Sequence, residues 1–136
     1  MNREVKYSID HLDLFNTDED IEKIKMFTEF NDEAITIIID DVPIISTGLR
    51  ILSDCTGEIW MVKSNNINKH AVTIVKRLNE LIEFYADKYK LERMQTSIRP
   101  EHEKWIQNLG FEKESELVNF TKESKIYLYR RLFKWE

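Results

Sequence analysis

Near residue 63 the chain passes from a run of short strand-like apolar stretches to one long stretch of helical period, and that passage constrains its fold more than any other feature. Upstream lie three short apolar stretches in succession: 34–39 (AITIII), 44–52 and 57–62 (GEIWMV). Their length and their β-branched or aromatic content read as strands. The first is apolar almost throughout, as expected of a strand covered on both faces. Turn residues separate them, Asp40-Asp41-Val42-Pro43 and then 53–57, while Gly48 interrupts the second. Three such strands in a row form an antiparallel meander. Downstream, Ala71, Ile74, Val75, Leu78, Leu81, Ile82, Tyr85 and Tyr89 recur every three or four residues, with Lys76, Arg77, Glu80, Glu83 and Asp87 between them. Residues 68–89 are therefore an amphipathic helix lying on a sheet, and the chain is of mixed α/β class.

The flanks extend the pattern. Residues 5–9 alternate weakly, as an opening strand, and 11–15 form a separate helical turn. Residues 18–30 (DEDIEKIKMFTEF) set Ile21, Ile24 and Phe27 at helical spacing. Thr17 or Asp18 would cap that helix, and acids at its start suit the positive end of the dipole. Residues 91–98 alternate as a strand. Pro100 fits the first turn of a helix running to Leu109, with Gly110 placed to end it in the left-handed conformation. Residues 111–114 and 125–133 supply the last strands. The predicted order is β-α-α-β-β-β-α-β-α-β-β, in a single domain over 1–136.

Composition narrows the function. The 136 residues hold 20 basic and 25 acidic side chains, a net charge of −5, which gives no general attraction to nucleic acid or to an anionic membrane. The opening MNREVKYSIDHLDLF has no apolar core of a secretory signal, and the longest apolar run, 35–39, is far below the roughly 20 residues that span a bilayer. A cytoplasmic location is expected. A lone Cys55 excludes an internal disulfide and a cysteine-based zinc site, in keeping with a reducing compartment. His11, His70 and His102 are scattered, so no metal site is expected. Cys55 has no basic neighbour in sequence to lower its pKa, which argues against a nucleophile.

The element order, Gly48 in the second meander strand, Glu58-Ile59-Trp60-Met61-Val62 as a fourth strand and Leu109-Gly110-Phe111 closing a short helix together resemble the GNAT N-acetyltransferase superfamily. The resemblance covers essentially the whole chain. It implies a mixed, mostly antiparallel central sheet of six to seven strands flanked by about four helices. A narrower likeness, carried by residues 58–64, the long charged helix and His102 eight residues before Gly110, is to the small GNAT-like proteins of tailed bacteriophages. It implies a phage or prophage origin, with the protein in the host cytosol or in the virion.

The superfamily resemblance implies acetyl-CoA as cofactor, its pyrophosphate held by backbone N–H groups opening the long helix, where unpaired donors and the dipole favour anions. The matching residues are Met61, Val62, Asn66, Ile67, Asn68, Lys69, His70 and Ala71. The positions that carry glycine in the family hold Asn68, His70 and Val72, and a histidine and a β-branched valine are expected to crowd the mouth. Glu58, beside the point where the fourth and fifth strands part, is the implied base that takes the amine proton, directly or through water. Against that role stands an ordinary solvent-facing carboxylate. The family's usual acid, a tyrosine four residues before the glycine of Leu-Gly-Phe, is here Ile106, with Trp105 beside it. Tyr85, Tyr89, Tyr127 and Tyr129 are possible substitutes whose spacing favours packing.

Other residues weigh toward structure. His102 and His70 read as surface residues near helix starts, His11 has no partner visible by spacing, and the acids of 18–22 are explained by the helix start. The tail Arg130-Arg131-Leu132-Phe133-Lys134-Trp135 mixes cations with aromatics and reads as a final strand; exposed together, Phe133 and Trp135 would mark a protein interface. Two functions are consistent with these residues. One is an N-acetyltransferase with a divergent site, acting on an amine-bearing small molecule or protein. The other is an inactive GNAT-like phage protein whose partner is a phage or host protein. DNA mimicry by an acidic surface lacks a regular carboxylate array.

Overall fold

The computed structural model describes residues 2–15 and 20–135. Strands β1 (Asn2–Lys6), β2 (Glu33–Ile39), β3 (Val42–Ile51), β4 (Thr56–Lys63), β5 (Arg93–Ile98), β6 (Glu112–Glu116) and β7 (Tyr127–Leu132) alternate with helices α1 (Ile21–Phe27), α2 (Ala71–Tyr89) and α3 (Glu103–Asn108). Short 3-10 helices at Ile9–Leu14, Ile67–His70 and Pro100–His102 precede α1, α2 and α3. The sheet has seven strands in the order β1-β2-β3-β4-β5-β7-β6. Its ladders are antiparallel for β1/β2, β2/β3, β5/β7 and β6/β7, and parallel for β4/β5. This is the mixed, mostly antiparallel architecture expected from the sequence.

The chain divides into two compact units, Met1–Ile51 with Ile59–Ile74, and Leu52–Glu58 with Val75–Glu136. In the first, Leu12, Phe15, Ile24, Trp60 and Val62 form one apolar cluster, with Tyr7, Ile21 and Ala34 packed against it. Trp60 and Val62 are two apart on β4, so strand alternation delivers both to the same face. Gly48 makes room for this arrangement: a Cβ there would lie 2.5 Å from Cε2 and Cζ2 of Trp60. The indole is held further by its N–H donating to Asn31 Oδ1 (2.5 Å), while the Trp60 backbone carbonyl accepts from Thr47 Oγ1 (2.9 Å).

In the second unit, α2 buries Leu78, Leu81, Ile82, Tyr85 and Ala86 and leaves Lys76, Glu80, Glu83 and Asp87 exposed. It ends with Lys90 at φ 50° and the Leu91 N–H donating to the Ala86 carbonyl (2.9 Å), with Leu91 fully buried. That is the hydrophobic six-to-one closure of a helix C-terminus. α3 closes likewise: Gly110 has φ 81°, the Phe111 N–H reaches the Ile106 carbonyl (3.3 Å), and Leu109 and Phe111 are buried on either side. Arg131 donates to the Leu109 carbonyl (3.1 Å), Asn79 (3.1 Å) and Glu83 (3.1 Å).

Several boundaries differ from those read in the sequence. The opening strand lies at Asn2–Lys6 rather than 5–9, because Ser8 already caps the first 3-10 helix and its N–H donates to His11 Nδ1. Thr17 and Asp18, the expected caps of α1, and the side chain of Phe27 lie outside the described residues. Asp20 Oδ1 accepts from the N–H groups of Glu22 (3.1 Å) and Lys23 (3.3 Å), so helix-start electrostatics accounts for this carboxylate. α1 stops at Phe27 rather than residue 30, because the Thr28 hydroxyl donates to the Ile24 carbonyl (2.9 Å) at the cap position. The β2–β3 turn is only Asp40-Asp41, at φ 51° and 65°. Val42 and Pro43 belong to β3, and the ladder shifts register at Ile37/Ile38, next to the Ile38–Pro43 pair.

Candidate functional site

The first unit contains the end of β4 and the start of the long helix, and the chain covers that distance in a tight connection. Ser64 is buried, its N–H donates to the Ile44 carbonyl (2.9 Å), and its carbonyl accepts from the Ile67 N–H (3.1 Å). The Ser64 hydroxyl donates to Asn66 Oδ1 (2.5 Å), which turns the Asn66 oxygen away from the helix start. Asn66 stands at the cap position and makes no capping bond with its side chain. One 3-10 turn, Ile67–His70, then runs directly into the 19 residues of α2. The first N–H groups of a helix have no partner inside it, and here no Asn66 side-chain oxygen occupies them.

The named residues divide by orientation. Val62 and Ile67 are buried, so they offer only backbone to a ligand. Met61, Asn66, His70 and Ala71 are half-buried, and Asn68 and Lys69 are exposed. Val72 is 86% exposed and its isopropyl group faces solvent. Helical phase explains this, since Val72 lies two residues, about 200°, from the buried Ile74.

Glu58 belongs to the second unit and is half-buried rather than fully solvated. It ends the parallel ladder of β4, which pairs Thr56, Gly57 and Glu58 with Arg93, Met94 and Gln95.

A tyrosine acid is not found where the family would have it: Ile106 is 3% exposed and part of the core. Of the possible substitutes, Tyr85 is buried and Tyr89 lies under the Lys88 ammonium, 5.4 Å from its ring centre. The Lys113 ammonium sits 3.4 Å from the ring centre of Tyr127. Tyr129 is fully buried and donates its proton to Glu103, while Gln107 Nε2 donates to the phenol oxygen (3.3 Å). Burial, followed by that bond to Glu103, pushes the Tyr129 phenol above its ordinary 10.0, making it a poorer acid.

Sequence spacing missed the partners of His11. Its Nδ1 accepts from the Ser8 N–H (3.1 Å) and meets Thr36 Oγ1 (2.8 Å), which in turn meets Ser46 Oγ (2.7 Å). The backbone N–H can only donate, so Nδ1 is the unprotonated nitrogen and the Thr36 hydroxyl donates to it. In the tail Trp135 is 41% exposed, Leu132 is exposed and Phe133 is half-buried, although the two rings are held in place. Trp135 donates to the Leu91 carbonyl (2.8 Å), and its ring stacks on Phe133 at 6.2 Å. Lys90 lies over Trp135 (4.8 Å) and Arg131 over Phe133 (5.3 Å). Cys55 contributes its carbonyl to the N–H groups of Glu92 (2.8 Å) and Arg93 (3.1 Å).

Among solved structures the chain is similar to Ard1 from Thermoplasma volcanium, with TM-score 0.74, 10% identity, and 98% of this chain and 99% of that one covered. It is similar to a GNAT-family acetyltransferase from Bacillus anthracis, with TM-score 0.69, 13% identity, and 96% and 94% covered. A third similar structure is an aminoglycoside acetyltransferase in complex with coenzyme A, with TM-score 0.66, 11% identity, and 97% and 95% covered. No protein-family model and no curated protein matches the sequence. At these identities the likeness is one of fold, and the fold is that of the GNAT acetyltransferases. Among the described residues no helix is long and apolar enough to cross a membrane.

Proposed function

We propose that this protein is an N-acetyltransferase with a divergent acetyl-CoA site. The observation that supports it most is the start of the helical run over 67–89, a 3-10 turn without a side-chain cap at Asn66 that continues into α2, with Val72 exposed. A diphosphate fits such a start, because the unpaired N–H groups and the positive end of the dipole favour an anion. Backbone amides within 68–72 other than that of Lys69, whose N–H donates to the Asn66 carbonyl (3.3 Å), would hold it, with the exposed Lys69 ammonium as counter-charge. Met61 and Val62 would line the thioester arm through the backbone of β4.

Acetyl-CoA supplies an acyl group activated as a thioester. The Glu58 carboxylate accepts the proton lost by the attacking amine. With Ile106 in the core, no tyrosine hydroxyl stands at the usual acid position. A thiol of ordinary pKa, about 8.5, is a good enough leaving group to depart as thiolate and take its proton from water. The substrate class is an amine, as for the aminoglycoside enzyme of the same fold.

The test has two parts. Acetyl-CoA at a hundred times its Kd should add about 2.7 kcal/mol of stability, visible as a rise in Tm. Glu58→Ala should keep that rise while turnover of an amine drops about 10²- to 10⁴-fold. A chain whose Tm ignores millimolar acetyl-CoA is not this enzyme. A second reading, a catalytically inactive GNAT-like protein of a tailed phage binding a phage or host protein, is favoured by the buried Ile106 and by the absent loop glycines. Finding the chain in purified virions, with no acetylated product, would select it.

A further inference from the structure

The net charge of this chain is carried by one short stretch. Residues 9–32 hold eight acidic side chains and two basic ones, a balance of −6 against −5 for all 136 residues, so the remainder is close to neutral. The same stretch lies within the first unit and carries three of the five most exposed large apolar side chains among the described residues. Leu14 is 65% exposed, Met26 77% and Phe30 73%. Single exposed apolar groups are ordinary on a protein surface. Three of them on two short helical segments that also hold the whole charge excess are a pattern.

Helical phase directs them outward. The inward residues of α1 are Ile24, which belongs to the cluster of Leu12, Phe15, Trp60 and Val62, and Ile21, which packs against it. Met26 follows Ile24 by two residues, about 200°, and so stands on the opposite side of the helix. The Lys25 ammonium turns back to the 3-10 helix Ile9–Leu14 and bonds Asp13 (2.8 Å), with Glu22 at 3.6 Å. That bond ties the two segments together, and Leu14, next to Asp13, and Met26, next to Lys25, flank it. It also occupies one of the two cations of the stretch. Phe30 comes one turn after Met26, beyond the end of α1, preceded by the exposed Glu29.

We infer that the outward side of these two segments is a docking surface for a basic amphipathic segment of another protein, one that sets lysine or arginine beside apolar side chains. Charge decides among the occupants that an apolar surface could have. A second copy meeting it face to face would bring like acids together, and an anionic bilayer or a nucleic acid would be repelled. A small polyamine would satisfy the carboxylates and leave Met26 and Phe30 in water. A basic amphipathic segment answers both features: its cations meet Asp10, Glu22 and Glu29, all exposed, and its apolar side meets Met26 and Phe30. Such docking requires neither acetyl-CoA nor Glu58, and it stands whether or not the chain is a transferase.

The experiment titrates the full ¹⁵N-labelled chain with three probes: a peptide of lysine and leucine at helical period, about 18 residues or five turns long, the same residues in scrambled order, and spermine. The periodic peptide should bind with a Kd of about 1–10 μM, more weakly as salt rises, with amide shifts concentrated over 9–32. The scrambled peptide and spermine should bind at least about tenfold more weakly. Met26→Ser combined with Phe30→Ser should weaken the periodic peptide about tenfold with Tm within about 2 °C, since both side chains are exposed in the free chain. Glu29→Lys should weaken it about three- to tenfold, chiefly by slowing association. A scrambled peptide or spermine that binds as tightly reduces the surface to charge alone and overturns the proposal. Shifts spread evenly over the chain, a serine pair that binds like wild type, or no saturation below about 1 mM overturn it too. So does self-association of the free chain that the serine pair abolishes, which assigns the surface to a second copy. If the serine pair fails to fold, Glu29→Lys and the shift map decide.

Discussion

Gly48 offers the sharpest test of how the first unit is packed. A Cβ at this position would stand 2.5 Å from two ring carbons of Trp60, about an ångström inside ordinary carbon–carbon contact. The neighbour is a flat ring rather than the tip of a flexible chain. It is held by Asn31 on its nitrogen, by the edge of Tyr7 and by the cluster of Leu12, Phe15 and Ile24. Gly48 itself lies within β3, paired with Ala34 of β2, so its backbone has little freedom to retreat. Overpacking of this kind costs about 2–3 kcal/mol, or about 3 °C of Tm per kcal/mol in a chain of this length. Urea unfolding of Gly48→Ala should therefore show a lower midpoint at unchanged m-value. The double-mutant cycle makes the cause specific. In a Trp60→Leu background, itself destabilised, Gly48→Ala should cost under about 0.5 kcal/mol, since the obstructing ring is gone and alanine suits a strand no worse than glycine does. Equal costs in both backgrounds would refute the idea that Gly48 is there for Trp60.

The second unit supplies further tests. Tyr129→Phe should lose about 1–2 kcal/mol by stranding Glu103 and Gln107, measured by urea unfolding. The folded-state pKa of Tyr129 is raised, so its contribution is complete below about pH 10 and lost as pH climbs through the folded value. The phenylalanine variant should lack that part of the alkaline loss. Glu114 is drawn below its ordinary 4.5, first by its bond to Arg93, which grips it bidentately at 2.6 and 2.7 Å. The stability it adds is present above pH 4.5 and lost as pH falls through the lower folded value. Glu114→Gln should therefore lower the urea midpoint at pH 7, with the difference from wild type shrinking as pH falls from 4.5 through the lower folded value. High salt should shrink the difference at neutral pH.

Much of the architecture was legible because its signals are periodic. AITIII over 34–39, the stripe from Ile74 to Tyr89, and Gly110 beyond Leu109 each specify one local geometry. The errors occur where one polar side chain decides a boundary. Ser8 starts a 3-10 helix in a stretch that alternation reads as a strand, and the Thr28 hydroxyl ends α1 one turn past its buried anchor, Ile24. Pro43 reads as a turn residue, yet two consecutive aspartates at positive φ close the hairpin before it. At the candidate site, the orientation of Val72 was available from helical phase, since it is not among the stripe residues. The His11–Thr36–Ser46 chain and the Asn31–Trp60 bond were not available, because they join residues 10 to 29 apart across different elements.

The central claim is that the opening amides of α2 seat the diphosphate of coenzyme A. A titration of the ¹⁵N-labelled chain with coenzyme A, followed amide by amide, measures this directly. Saturable shifts concentrated over 66–72 are predicted, weakened by Lys69→Glu. Resonances there that stay still at millimolar coenzyme A, or that move no more than those elsewhere on the surface, would contradict it.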